Sequence, residues 1–96
     1  MEERTSQNNT DFEGMAKAFL EEAGGCENII SCYNCITRLR LEVKDPAAVD
    51  EEKIKASGAA AVFWPDTNLI HIVLGPQVFE VAREMKKLMK VQKAVL

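Results

Sequence analysis

The sequence CITRLRLEVK at residues 35–44 alternates polar and apolar side chains from Arg38 onward. This period of two is typical of a half-buried β-strand, because successive side chains of a strand point to opposite faces. Arg38 and Arg40 therefore share one face of the predicted strand, while the leucines beside them point to a core. We predict a strand over 37–44 that begins just after the thiol of Cys35.

Capping residues, glycines and prolines divide the rest of the chain into helices and strands. Two hairpins connected by a helix predict an α+β fold, a four-stranded antiparallel sheet with three helices packed on one face, in the order α-β-β-α-β-β-α. The predicted elements are a helix capped by Asp11 and ended by Gly24-Gly25, a strand over 26–34, the strand over 37–44, a helix over 51–56 capped by Asp50, strands over 59–64 and 69–74 separated by a turn at 65–68, and a helix opened by Gly75-Pro76.

The length of 96 residues is enough for one domain and one core. We assign residues 11–90 to that folded domain. Residues 1–10 are polar and lack an apolar anchor, so we predict a disordered N-terminal leader. Residues 91–96 are predicted to fray.

The composition excludes several classes of function. The net charge is −3, and no dense block of lysine and arginine indicates nucleic acid as a partner. No apolar run is long enough to cross a bilayer, and the polar N-terminus is unlike a secretory signal, so we expect a cytosolic protein. The cysteines number three, and in a reducing compartment they are expected to be free thiols.

Cys35 is the first candidate for chemistry. A thiolate is a nucleophile, and the neighbouring Arg38 and Arg40 favour that charged form. Guanidinium groups also match the oxygens of a phosphoryl group, while Thr37 offers a hydroxyl and the turn offers backbone N–H groups. The alternative is a buried cysteine followed by a solvated arginine face. On spacing alone that alternative carries more weight, because Cys-x-x-Arg is a short motif.

A wider pattern favours the first interpretation. The hexapeptide CITRLR at 35–40, preceded by GGCENI at 24–29, closely resembles the active-site signature of enzyme IIB domains of the bacterial sugar phosphotransferase system, in the glucose and N-acetylglucosamine family. In that family a Gly-Gly-x-x-Asn-Ile segment leads into a Cys-x-Thr-Arg-Leu-Arg loop. Asp45 followed by a short acidic helix, Gly58, and IVLGP at 72–76 agree further, and the resemblance extends over about 12–89.

The resemblance implies a phosphoryl carrier. Cys35 would accept a phosphoryl group from a phosphohistidine of enzyme IIA and pass it to a sugar held by the membrane component, enzyme IIC, at the cytoplasmic side of the membrane. Arg38 and Arg40 would stabilise the transferring group, and Thr37 would steady the loop or donate one hydrogen bond. Ile36 would contact the partners. No cofactor or metal is implied, and we expect a monomer in the absence of those partners.

Two positions depart from the family pattern. Tyr33 stands where an acidic or small residue is common, and His71 stands where a glutamine is usual. Because histidine titrates near neutral pH, His71 is predicted to bind the phosphoryl group or to add charge as it arrives. The alternative is a histidine that faces solvent or a neighbour on the open face of the sheet.

Three other interpretations remain open at this stage. One is a module on the same fold that binds a regulator in a phosphorylation-dependent manner. Another is a zinc-bound interaction domain, and the third is a redox switch through a disulfide between Cys32 and Cys35. The zinc ligands would be Cys26, Cys32, Cys35 and His71.

Overall fold

The computed structural model describes residues 11–95, so the predicted leader over 1–10 lies outside the described residues. Its elements confirm the predicted order and the α+β class. Among these residues, no helix has the length and apolar character needed to span a membrane. The helices and strands are α1 (Phe12–Glu22), β1 (Ile29–Asn34), β2 (Arg38–Val43), α2 (Glu51–Ala56), β3 (Ala61–Asp66), β4 (Leu69–Val73) and α3 (Val78–Val95).

The four strands form one antiparallel sheet in the order β1-β2-β4-β3. Leu39 of β2 lies opposite Ile72 of β4, and Leu41 lies opposite Ile70, which gives one face of the sheet an apolar surface. The helices cover this face and bury it, as predicted. The largest fully buried side chains of this core are Phe19, Leu20, Leu39, Leu41, Ile54, Ile70, Ile72 and Met85.

The other face of the sheet is the open face, and it carries Arg38, Arg40 and Glu42 of β2. The alternation of side chains along β2 is therefore sufficient to place the leucines in the core and the arginines on the open face. Leu39, fully buried, lies between two arginines that are both partly exposed. The predicted two-sided character of this strand is confirmed.

All four strands differ from their predicted bounds. β2, predicted over 37–44, is shorter by one residue at each end, and β4, predicted over 69–74, ends one residue earlier, while β1 and β3 differ more. β1 begins at Ile29, because Cys26–Asn28 forms a 3-10 turn in which Asn28 is buried. β3 passes through Pro65 and ends at Asp66, so the turn predicted at 65–68 is shorter. β3 is an outer strand, where proline does not remove a ladder hydrogen bond, and its pairing with β4 shifts register between Phe63 and Asp66.

The ends of α3 also differ from the predicted bounds. The helix begins at Val78, after Gly75-Pro76, and it continues to Val95. Residues 91–95 stay helical because they contain neither glycine nor proline. Residues 91–95 of the tail predicted at 91–96 thus continue α3, residue 96 lies outside the described residues, and fraying stays a prediction.

Asn28 joins three segments near the start of β1. Its Nδ2 donates to the carbonyl oxygens of Ala23 at 2.8 Å and Asp45 at 3.0 Å, and its Oδ1 accepts from the Asp45 N–H at 2.8 Å. Gly24 packs directly against this amide, with φ at +100°, and a Cβ there would lie 2.7 Å from Nδ2. The end of α1, the start of β1 and the end of β2 therefore depend on one buried amide.

Asn28→Ala should destabilise the protein strongly. The substitution removes three hydrogen bonds and leaves buried backbone groups without partners, and each such group costs about 1–3 kcal/mol. We expect a loss of about 3 kcal/mol in the free energy of unfolding, measured by urea titration. The matched control is Asn68→Ala, because Asn68 also donates to two backbone carbonyls but is only half-buried. Equal losses for the two variants would contradict the assignment.

Candidate active site

The loop at residues 35–37 connects β1 to β2 and is held from both sides. The N–H of Cys35 donates to the carbonyl of Arg38 at 3.0 Å, and Nδ2 of Asn34 donates to the carbonyl of Cys35 at 3.0 Å. The carbonyl of Thr37 accepts from the N–H groups of Leu74 at 2.8 Å and Gly75 at 3.0 Å. The loop is therefore tied to the connection between β4 and α3.

The thiol of Cys35 lies at the end of the hairpin, among hydrogen-bond donors. The backbone N–H of Thr37 has the largest effect, and it lowers the pKa of Cys35. Partial burial of the thiol raises the pKa, whereas the backbone N–H of Arg38 and the guanidinium of Arg40 lower it further. All three donors favour the thiolate over the thiol. Of the two arginine side chains predicted to favour the thiolate, that of Arg40 does so, whereas Arg38 acts through its backbone N–H. Binding of an anion by the turn stays a prediction.

The other two cysteines have different surroundings. Cys32 lies opposite Leu41 and packs against the core, and burial raises its pKa to about 11 despite the positive charge of Lys86. Cys26 is buried, with its Sγ 3.8 Å from the carbonyl oxygen of Met89. All three cysteines are free thiols. Cys35 is therefore the one whose surroundings favour a nucleophile.

The arginines are held by aromatic rings. The guanidinium of Arg38 lies 4.7 Å from the ring centre of Phe63, and that of Arg40 lies 5.9 Å from the ring centre of Tyr33. None of the ion pairs found among residues 11–95 involves either arginine. Cation–π contacts orient the guanidinium groups without neutralising them, so their charge is available to an anion.

His71 lies between the arginine strand and the outer strand β3. It is opposite Arg40 on β2 and opposite Phe63 on β3, and the rings of Phe63 and His71 meet edge to face at 5.1 Å. Only 7% of His71 is exposed. Burial is the main reason why its pKa is lowered, and the charges of Arg40 and Arg38 add to the effect. The imidazole is therefore neutral at pH 7.

Several buried polar atoms at this point lack a partner. Both ring nitrogens of His71 and the Nε of Arg40 form no hydrogen bond within the described part of the chain. Buried polar groups are nearly always paired, so unpaired ones at a single place indicate a site for a polar ligand. The buried ring does not face solvent, but it does contact Phe63, a neighbour on the open face, so that part of the alternative holds. A role for His71 in binding the phosphoryl group stays a prediction.

The structure brings most of the predicted site residues together. Thr37, Arg38 and Arg40 surround Cys35, and His71 lies beside Arg40 on the open face. Ile36 is 72% exposed at the loop, consistent with a contact residue. Thr37 contributes through its backbone, and its side chain makes no hydrogen bond within residues 11–95.

The predicted zinc ligands do not converge. Cys26 and Cys32 belong to the helix side of the sheet, whereas His71 is on the open face. Within residues 11–95, no group of three or more His, Cys, Asp or Glu residues is placed to hold a metal ion. The zinc interpretation therefore finds no support in the arrangement of these side chains.

The sequence alone missed the aromatic supports. Tyr33 and Phe63 lie in one cross-strand row with Arg40 and His71, because the register pairs Tyr33 with Arg40, Arg40 with His71, and His71 with Phe63. The alternation of β3 could have indicated that Phe63 lies on the open face, because it stands between the half-buried Val62 and Trp64. Assigning it required the strand order, which is a long-range property.

Comparison with known proteins shows the family to which the chain is similar. Residues 17–50, which include Cys35, Arg38 and Arg40, match the model of the family described as phosphotransferase system, EIIB. The chain is 40% identical over 74 residues to the PTS system N-acetylglucosamine-specific EIIB component of Streptomyces coelicolor, covering 77% of this chain and 95% of that protein.

Two further relatives extend the comparison. The chain is 46% identical over 72 residues to the PTS system maltose-specific EIICB component of Escherichia coli, covering 75% of this chain but only 14% of that much longer protein. A solved domain of the PTS system IIabc component from Clostridium difficile superimposes with a TM-score of 0.71 and 29% identity, covering 79% of this chain and 80% of that one. The fold is thus shared with a solved domain of a phosphotransferase-system protein.

Limited alkylation should discriminate between the cysteines. At pH 7 we expect iodoacetamide to modify Cys35 first, because its pKa is lowered, whereas burial raises the pKa of Cys32 to about 11. Peptide mapping by mass spectrometry after brief treatment would identify the modified residue. Faster modification of Cys32 or of the buried Cys26 would contradict the assignment of the reactive thiol.

Stability should depend on pH through His71. Its pKa is about 6.5 when unfolded and lower when folded, so between these values the unfolded chain binds more protons. The free energy of unfolding therefore falls as pH falls below about 6.5. Urea titrations at pH 7 and pH 5 should show a larger loss for the wild type than for His71→Gln, which cannot titrate. Equal losses would show that His71 is not buried in its neutral form.

Proposed function

Because the chain belongs to the EIIB family of the phosphotransferase system, we propose that Cys35 carries a phosphoryl group from enzyme IIA to a sugar during uptake. The single observation that carries the proposal is the position of the Cys35 thiol. It lies among two backbone N–H groups and the guanidinium of Arg40, with Arg38 on the same strand. Such an arrangement stabilises a thiolate first and a phosphoryl group afterwards.

The proposed reaction has two steps. In the first, the thiolate of Cys35 attacks the phosphorus of a phosphohistidine on enzyme IIA, so that an S–P bond forms, a P–N bond breaks and the imidazole leaves. In the second, a sugar hydroxyl attacks the same phosphorus, the S–P bond breaks, and the hydroxyl proton is lost to a base. The thiolate is regenerated, and the covalent relay replaces one difficult transfer with two easier ones.

The residues around Cys35 have separate roles in this scheme. The fork-shaped guanidinium groups of Arg38 and Arg40 match the equatorial oxygens of the phosphoryl group and balance the charge that spreads over them. Because aromatic rings already orient both groups, little reorganisation is needed when the group arrives. Thr37 donates its backbone N–H and its hydroxyl, and His71 donates a ring N–H.

The names of the relatives and the exposed surface support the proposed partners. Proteins similar to this chain are named EIICB components, in which an EIIB part is joined to an EIIC part. We therefore propose that membrane enzyme IIC presents the sugar and that enzyme IIA supplies the phosphoryl group. The relatives are specific for maltose and for N-acetylglucosamine, so a sugar of this type is proposed here.

Docking of both partners would use the surface around the loop. Ile36 is 72% exposed, and Phe79 in the first turn of α3 is 51% exposed. Phe79 follows shortly after Gly75, whose N–H is bonded to Thr37. A small, partly apolar surface of this kind suits encounters that must form and separate in each cycle.

Replacement of the thiol should abolish phosphate transfer to the chain. After incubation with the upstream phosphoryl donors, intact mass should show the gain of one phosphoryl group on the wild type and none on Cys35→Ser. Cys32→Ser is the matched control and should be phosphorylated normally, because Cys32 packs against the core. No gain on the wild type, or an equal gain on Cys35→Ser, would refute the proposal.

Lysine substitutions should separate the two steps. Arg38→Lys and Arg40→Lys keep the charge but lose the bidentate fork, so we expect Cys35 to be phosphorylated while transfer to sugar falls by about 100-fold or more. Intact mass measures the first step, and formation of sugar phosphate in the presence of enzyme IIC measures the second. Full sugar transfer by both variants would show that charge alone is sufficient.

A further inference from the structure

We propose that His71 takes up a proton when the phosphoryl group arrives on Cys35 and releases it when the group leaves. The inference rests on the proposed function, because it requires a phosphoryl group at Cys35. Protonation of His71 would make the phosphorylation state of this protein depend on pH.

His71 is held in a place from which it can respond to charge at Cys35. Arg40 interacts with the thiol of Cys35 and is also the direct cross-strand neighbour of His71. The three side chains thus form a continuous series, thiol to guanidinium to imidazole. On the other side, the edge-to-face contact with Phe63 fixes the ring in place.

Cations dominate the charged surroundings of His71. From β2 it faces Arg40 and Arg38, and from β3 it faces the uncharged ring of Phe63. β1 contributes only Tyr33, beyond Arg40, and the loop contributes Cys35. The carboxylates of the open face lie farther along the strands. Glu42 is paired with Ser31, and Asp66 lies opposite Leu69 near the turn into β4.

These surroundings keep the ring neutral in the unphosphorylated protein. Burial and the two arginines lower the pKa of His71, and neither ring nitrogen has a partner in the described residues. A neutral imidazole has one N–H donor and one acceptor, whereas the protonated ring has two donors. Because neither ring nitrogen accepts a hydrogen bond within the described residues, protonation of the acceptor nitrogen breaks none.

Arrival of a phosphoryl group reverses the charge balance. A phosphoryl group carries a charge of about −1.5 to −2 near neutral pH. It balances the two arginines and supplies acceptors for the Nε of Arg40 and the ring N–H groups of His71, which are the polar atoms left without partners. Both effects favour the imidazolium. The proton comes from water, and it returns there when the sugar accepts the phosphoryl group.

The linkage has a consequence for the direction of transfer. Lower pH would stabilise the phosphorylated form relative to the free thiol, because only the phosphorylated form binds the additional proton strongly. Higher pH would favour release of the phosphoryl group. His71→Gln would remove this dependence while retaining a side chain that can donate a hydrogen bond.

The test uses a matched pair of modifications on the native chain. Iodoacetate and iodoacetamide add groups of nearly the same size to Cys35, but the first is negatively charged and the second is neutral. His71 is the single histidine of the chain, so its proton NMR signals titrate without overlap. Peptide mapping would confirm that each sample is modified on Cys35 alone.

We expect His71 to bind a proton at least about threefold more tightly in the charged derivative than in the neutral one, because an opposite charge favours the imidazolium. Identical titration midpoints would overturn the proposal. Arg40→Gln in the unmodified protein serves as a second measurement. Removing one cation should itself raise the midpoint, and an unchanged or lowered midpoint would show that His71 does not sense charge at this site.

The phosphorylated protein separates this inference from the proposed function. A chain that gains a phosphoryl group on Cys35 while the titration of His71 is unchanged would refute the proton linkage and leave the function intact. A chain that gains no phosphoryl group would refute the function, and the alkylated pair would still decide whether His71 responds to a negative charge at Cys35.

Discussion

The antiparallel pairing of β2 with β4 is the interaction on which the site and the core both depend. In its observed register, Leu39 meets Ile72 on the helix side, and Arg40 meets His71 on the open face. A slip by one residue would turn every side chain of β2 to the opposite face, with guanidinium groups in the core. Burial of the leucines therefore keeps the arginines on the open face, beside His71.

Aromatic rings, and not carboxylates, orient the guanidinium groups of Arg38 and Arg40. A carboxylate partner would hold a guanidinium firmly, but an arriving phosphoryl group would then have to displace it. Contacts with Phe63 and Tyr33 orient Arg38 and Arg40 while leaving their positive charge uncompensated within the described residues. The cost of keeping two uncompensated cations near each other is reduced because both are partly exposed to solvent. The open face thus carries two oriented guanidinium groups that no carboxylate of the described residues neutralises.

The sequence predicted those parts of the protein that depend on local patterns. The alternation along β2, the caps Asp11 and Asp50, and the spacing from Cys35 to Arg40 are all short-range features, and they gave the order of elements and the centre of the site. The bounds of β3 were wrong, because Pro65 is compatible with a strand only at the edge of a sheet. The place of a strand within its sheet is decided by distant pairing. The burial of His71 and the stacking of Phe63 could not be predicted for the same reason.

The irregular outer strands have an effect on association. β1 is interrupted by a register shift between Ile29 and Ser31, and β3 by one between Phe63 and Asp66 with Pro65 between them. A regular outer strand presents a row of free backbone groups to which a second chain can add. Here neither border of the sheet presents such a row without a break. At high local concentration, copies of the protein would accordingly resist polymerisation through pairing of their edge strands.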